Sequence, residues 1–205
     1  KQELNCKVIG LPNSGYNESL FAKGPEIKDR EIDIGYRIFP GPPWLGHWDR
    51  ENIAEAFIEK NLTNLHLDIS CDSKDRLKLS DWVRFLQNSK TQLSVSSGGD
   101  IFELTDATKQ RVENLLSRQP NASRSTIKKV FPPKSERVRL RILSSRMIEA
   151  ASTGTPQIMY DDEFDGPMEP DRDYIPLNKS HSNVNDVLDK ISDHAYLSEI
   201  AKNCR

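Results

Sequence analysis

"IDIGYRIF" (residues 32–39) alternates apolar and polar positions and is rich in β-formers, so it reads as a strand, and "PGPPWLG" (40–46) breaks it at once. The same grammar then repeats. "HWDRENIAEAFIEKN" (47–61) sets Trp48, Ile53, Phe57 and Ile58 near helical spacing, and "LHLDIS" (65–70) is a second strand. Ser80 is placed to cap a helix over "DWVRFLQNS" (81–89) that turns Trp82, Phe85 and Leu86 inward, and "TQLSVSS" (91–97) is a third strand. Strand, helix, strand, helix, strand predicts βαβ units, hence an α/β fold with a parallel, doubly wound sheet.

Upstream, "CKVIGLP" (6–12) reads as a short strand and the polar "GPEIKDRE" (24–31) as a linker. Residues 1–30 are therefore expected to be an N-terminal segment and linker from a preceding domain, and residues 31–205 the domain itself. The opening "KQELNCKVIGLP" reads like protein interior, as expected of an excised domain. Downstream, "DATKQRVENLLSR" and "SRSTIKKVF" predict two helices joined by "QPNA". "SSRMIEAAS" (144–152) predicts a helix ended by Gly154 and Pro156, leading into strand "PQIMY". An acidic loop (161–173) and strand "YIPL" follow. Asn183 should then cap one long helix with the stripe Val184, Val187, Leu188, Ile191 and Ala195.

Composition narrows the classes. The 205 residues are 36% hydrophobic and 29% charged, enough for a packed core under a very polar surface. A net charge of −2 gives no bulk drive toward nucleic acid or anionic membrane. No apolar run approaches the roughly 18 residues that span a bilayer. The odd cysteine count, Cys6, Cys71 and Cys204, without C-x-x-C spacing, argues against a disulfide framework or zinc site and fits a reducing compartment. The expected location is cytoplasmic, with any peripheral attachment to the membrane made through other parts of the protein.

In open parallel sheets ligands bind beyond the carboxyl ends of the strands, where strand order reverses. Four loops qualify: Arg37 with the 41–46 turn, residues 68–75, residues 96–99 and residues 161–166. Ser97, Gly98 and Gly99 form either an anion-binding nest or a tight turn. Arg37, ending a central strand, suits either a phosphate or a neighbouring carboxylate. Arg146 and Glu149 are three apart on one helix face, so they form either a surface ion pair or a ligand-holding couple. His47, His66, His181 and His194 lack metal-ligand spacing, and no metal site is expected.

Taken in order, "IDIGYR…PPWLG…R", "LDIS…DRL…DWVRFL", "LSVSSGGDIFE" and "SSRMIEAASTGTPQI…DGPMEPDRDYIPL…SNVNDVLDKISD" resemble a bacterial family of group 1 GT-B glycosyltransferases. That family is associated with cell-surface polysaccharide biosynthesis or spore-coat glycosylation. "RMIEAASTGTP" is similar to its R-x-F-E-A-x-A-x-G-T-P pattern. The resemblance runs from about Val8 to the C-terminus and implies a Rossmann-like donor-binding domain, one half of a GT-B architecture. It further implies a metal-independent, hexosyltransferase-like enzyme with no cofactor, whose donor substrate is a UDP- or GDP-linked sugar. A glycan or lipid-linked acceptor would be held by another domain. The resemblance places Glu149 on the ribose hydroxyls, and Arg146 and Arg37 on the diphosphate. Ser97, Gly98 and Gly99 would lie near the phosphate or sugar, and Asp165 and Gly166 beside the donor sugar. Ser96 stands where the family loop E-S-G-A-S has an acid, and Arg141 where many retaining members carry a second glutamate. The residues alone also admit a non-catalytic nucleotide- or partner-binding module of the same fold. A third reading is a flavodoxin-like or receiver-like α/β domain with Asp68 as phosphoacceptor, in which the two mid-chain helices and the Glu149 motif have no place.

Overall fold

The computed structural model describes residues 15–138, 140–161 and 168–205. The strand expected at 6–12 lies outside the described residues. Five strands form one all-parallel sheet: β1 (Ile32–Arg37), β2 (Leu67–Ser70), β3 (Ser89–Ser94), β6 (Gln157–Tyr160) and β7 (Ile175–Leu177), in the order β2-β1-β3-β6-β7. The short pair β4 (Ser97–Gly99) and β5 (Leu140–Ile142) stands apart as an antiparallel ribbon. The α/β, doubly wound expectation holds, with the strand order of the flavodoxin type rather than 3-2-1-4-5-6.

Helices cover both faces. Against one face, α1 (Asp49–Ile58), α6 (Val184–Ser192) and α7 (His194–Asn203) bury Phe57, Val187 and Leu197 with Ile34, Leu93, Ile158 and Ile175. Against the other, α2 (Leu79–Asn88) and α5 (Ser145–Ser152) bring Phe85, Leu86 and Ala150 together with Ile32. Glycine in the middle of β1 makes room for its neighbours, because a Cβ on Gly35 would lie 2.5 Å from Ser89 Oγ and 2.9 Å from Phe85 Cζ and would force them to shift. Between β3 and α5 the chain inserts α3 (Ala107–Arg118), α4 (Arg124–Lys128) and the ribbon. This insertion has a core of its own, in which Trp48 stacks on Phe131 with ring centroids 5.7 Å apart above Ile101, Val112 and Ile127. Among the described residues no helix is long and apolar enough to cross a membrane.

Several local expectations need correction. α2 starts at Leu79 with Lys78 as N-cap, so Ser80 lies in the first turn and caps nothing. The long C-terminal helix is two helices. Asp193 accepts hydrogen bonds from the Ala195 and Tyr196 amides, which starts a new helix at His194 and leaves Ala195 exposed rather than in the apolar stripe. Ile58 is likewise exposed. The stretch read as a linker, 24–31, contains the one-turn 3-10 segment Ile27–Asp29, and both Ile27 and Arg30 are buried.

His181 follows β7 at φ 58°, with Nε2 2.8 Å from Tyr160 Oη and the two rings stacked. Burial, aided by Lys179, lowers the imidazole below its ordinary value, against the pull of Glu55, Glu59 and Asp49. The folded state thus binds fewer protons than the unfolded chain. This stabilisation is complete above the unfolded value of about 6.5 and is lost as pH falls from there toward the folded pKa. Thermal melts between pH 7.5 and 5 should therefore drop less steeply for His181→Asn, which tolerates positive φ but does not titrate. Parallel curves for both proteins would remove His181 from the explanation.

Candidate functional site

β1 and β3 are neighbours whose connections leave in opposite directions, so the sheet's switch point lies between Arg37 and Ser94. A cleft of ≈ 270 Å³ opens there, walled by Arg37 at the end of β1 and Phe39 just beyond it, Asp72 and Arg76 after β2, Trp82 on α2, and Arg146 and Glu149 on α5. A second cavity of ≈ 160 Å³ takes in Arg50, Ser97, Ser144, Ser145 and Arg146. Arg146 lies in both.

Trp82 organises the cleft. Its indole N–H donates to Glu149 Oε2 at 2.8 Å, and its ring stacks on Phe85 with centroids 5.7 Å apart. The Arg146 guanidinium lies over the same ring, 5.1 Å from the centroid, and donates through Nη1 to the Arg37 carbonyl. Arg146 and Glu149 therefore do not pair with each other as the i,i+3 reading allowed. Each is held by Trp82, and Glu149 Oε1 accepts no hydrogen bond from the described chain. Burial lowers the Arg146 pKa. Glu149 and Tyr36 oppose that effect, while Arg50 and Arg76 add to it. Arg50 and Arg76 are thus part of the same positive field. Arg76 sits over the Phe39 ring at 5.6 Å, and Arg50 Nη1 donates to the Phe39 carbonyl at 3.4 Å.

α5 starts at this cavity because Ser144 caps it. Ser144 Oγ accepts from the Met147 amide at 3.4 Å, and no acidic residue occupies the first turn. With no acid in its own first turn, the helix's positive end lies beside Arg146, a setting that favours an anion.

Arg37 has the carboxylate partner that its sequence position allowed. It ion-pairs with Asp68, donates to the Tyr36 and Asp68 carbonyls at 2.9 and 2.8 Å, and lies over the Phe85 ring at 4.8 Å. The register Gly35↔Asp68 sets that meeting. Asp68 is thereby committed within edge strand β2, which leaves it poorly placed as a phosphoacceptor. Gly98 and Gly99 form no open nest. They pair with Arg141 and Leu140 in the ribbon, and a Cβ on Gly99 would come within 3.2 Å of the Leu45 carbonyl. Ser97 alone of that trio lines a cavity of the site. Asp165 and Gly166 lie outside the described residues.

The structure therefore joins Arg37, Arg146 and Glu149 in one cleft, with Ser97 at its neighbour. Trp82, Arg50, Arg76 and Phe39 were not singled out for the site from sequence. Trp82 reads as an ordinary core position of an amphipathic helix, and only its buried N–H, which needs an acceptor, hints at more. Among the described residues no three His, Cys, Asp or Glu side chains gather as a metal site. No protein-family model and no curated protein matches the chain.

Proposed function

We propose that this chain is the donor-binding half of a GT-B glycosyltransferase and holds a nucleoside diphosphate sugar across the two cavities. The observation that carries the reading is the arrangement along α5. A carboxylate with one unengaged oxygen stands one turn from an arginine, and the helix N-terminus opens toward a further arginine. Glu149 Oε1 suits the vicinal hydroxyls of a ribose, as acidic side chains do in nucleotide sites. Arg146, Arg50 and the first turn of α5 suit the diphosphate, and Phe39, Leu77 and Leu79 offer the base an apolar wall. In transfer, the anomeric carbon–oxygen bond to the diphosphate breaks and its electron pair leaves with the phosphate oxygen. Fixed cations and backbone N–H groups stabilise the charge developing there. The acceptor, a glycan or lipid-linked molecule, would attack from another domain.

Calorimetry with UDP, GDP and their sugars tests this. Losing a charge-assisted hydrogen bond costs about 1.5–3 kcal/mol, so Glu149→Ala should weaken binding roughly 10- to 100-fold. Equal affinity in wild type and variant, or no nucleotide binding at all, would count decisively against the site. A second reading, a non-catalytic nucleotide- or partner-binding module of the same fold, is favoured by the engagement of Arg37 with Asp68, which removes one cation from the diphosphate. Sugar transfer that disappears in Glu149→Ala would exclude that alternative.

A further inference from the structure

The chain-wide charge of −2 conceals a separation. Residues 95–144, the insertion between β3 and α5, hold ten Lys and Arg against five Asp and Glu, a net of +5, while the rest of the chain carries −7. From residue 107 on, only Glu113 and Glu136 oppose those ten cations. Arg111, Arg118, Lys128, Lys129 and Lys134 are exposed. The same insertion leaves apolar side chains in solvent. Leu104 is 100% exposed, Phe102 61% and Val138 55%, with Leu140 and Ile142 also open.

These residues belong together. β4 and β5 run antiparallel with Ser97↔Ile142 and Gly99↔Leu140, so the exit of β4 toward Phe102 lies beside the entry of Val138 into β5. Leu140 and Ile142 follow strand period and share one side of the ribbon. Trp48, Val112, Ile127 and Phe131 form a separate packed core that includes Ile101, the residue next to Phe102. Exposed apolar side chains on a segment of net positive charge mark a surface that meets an apolar, negatively charged partner.

We infer that the insertion docks on an anionic lipid surface. Phe102, Leu104, Val138 and Leu140 enter the interfacial region of the bilayer, and the exposed lysines and arginines of the insertion sit among acidic headgroups. Charge complementarity selects lipid from the possible occupants. A nucleic acid backbone would satisfy the cations but give four aliphatic and aromatic side chains nothing to bury against. A second copy of this chain meeting it face to face would oppose one +5 insertion to another.

Flotation with vesicles of phosphatidylcholine containing 30 mol% phosphatidylglycerol, against vesicles of phosphatidylcholine alone, tests the inference. Partitioning should be at least tenfold greater on the anionic vesicles and should fall as salt is raised from 50 to 300 mM. Phe102→Ser with Leu104→Ser, and separately Lys129→Glu with Lys134→Glu, should each lower it at least tenfold. All four positions are exposed, and unchanged circular dichroism and nucleotide affinity would show both variants intact. Equal partitioning on neutral vesicles, no partitioning on either kind, or variants that bind like wild type would overturn the inference. So would binding to a DNA oligonucleotide that the Phe102/Leu104 variant leaves intact, or self-association on gel filtration that the same variant abolishes without any vesicle binding.

Discussion

Replacing Arg30 with methionine should lower the unfolding free energy by roughly 3–5 kcal/mol, a large part of the 5–15 kcal/mol typical of a domain. Arg30 is 3% exposed, and among the described residues no carboxylate pairs with it. Its charge is held by dipoles instead. Nε donates to the Pro25 carbonyl, Nη1 to the Ser89 carbonyl and Thr155 Oγ1, each at 3.0 Å, and Nη2 to the Thr153 carbonyl at 3.4 Å. One guanidinium thus ties the N-terminal segment, the start of β3 and the turn between α5 and β6. Burial pulls its pKa down to about 10, so it remains a cation at neutral pH. Methionine fills similar space but orphans these acceptors, each costing about 1–3 kcal/mol, partly offset by no longer burying a charge. Lysine keeps the charge without the fork and should fall in between. Urea midpoints at constant m-value measure this, and a methionine variant within 1 kcal/mol of wild type would refute the role.

Arg30 also shows what sequence could not display. A cation within "GPEIKDRE" looks solvated, because its partners Ser89 and Thr155 are 59 and 125 residues away. What sequence does display is local. The alternation of Ile32, Ile34 and Tyr36 and the inward stripe Trp82, Phe85, Leu86 are written in neighbouring positions, and all six side chains are buried. Strand order is not local, since each βαβ crossover can place the next strand on either side of β1. The pairing of Ser97–Gly99 with a segment some forty residues later is equally invisible, which is why two glycines that suggest an anion nest are ribbon residues. Glu149 and Arg146 could be nominated for the site from their helix. Their shared support could not, because Trp82 lies 67 residues before Glu149.

Substitutions at Trp82 should separate scaffold from site. Trp82→Ala removes a side chain that is only 9% exposed, the stack on Phe85, the ring beneath Arg146 and the donor to Glu149 at once. A buried Trp→Ala change costs about 3–5 kcal/mol, and a position at the rim of a cleft falls toward the lower figure. Nucleotide affinity should be abolished with it. Trp82→Phe keeps an aromatic face for Arg146 and Phe85 but has no N–H. Stability should fall by about 1–3 kcal/mol, less than for alanine, because the smaller ring leaves part of the indole's volume unfilled. Affinity should still fall about 3- to 10-fold, the value of one hydrogen bond that orients the Glu149 carboxylate. The decisive measurement is the double variant with Glu149→Ala. If Trp82 acts on the ligand through Glu149, the phenylalanine change should cost nothing further once the carboxylate is gone, whereas independent contributions would add. Additive losses would reduce Trp82 to a packing residue and leave the orientation of Glu149 to α5 alone.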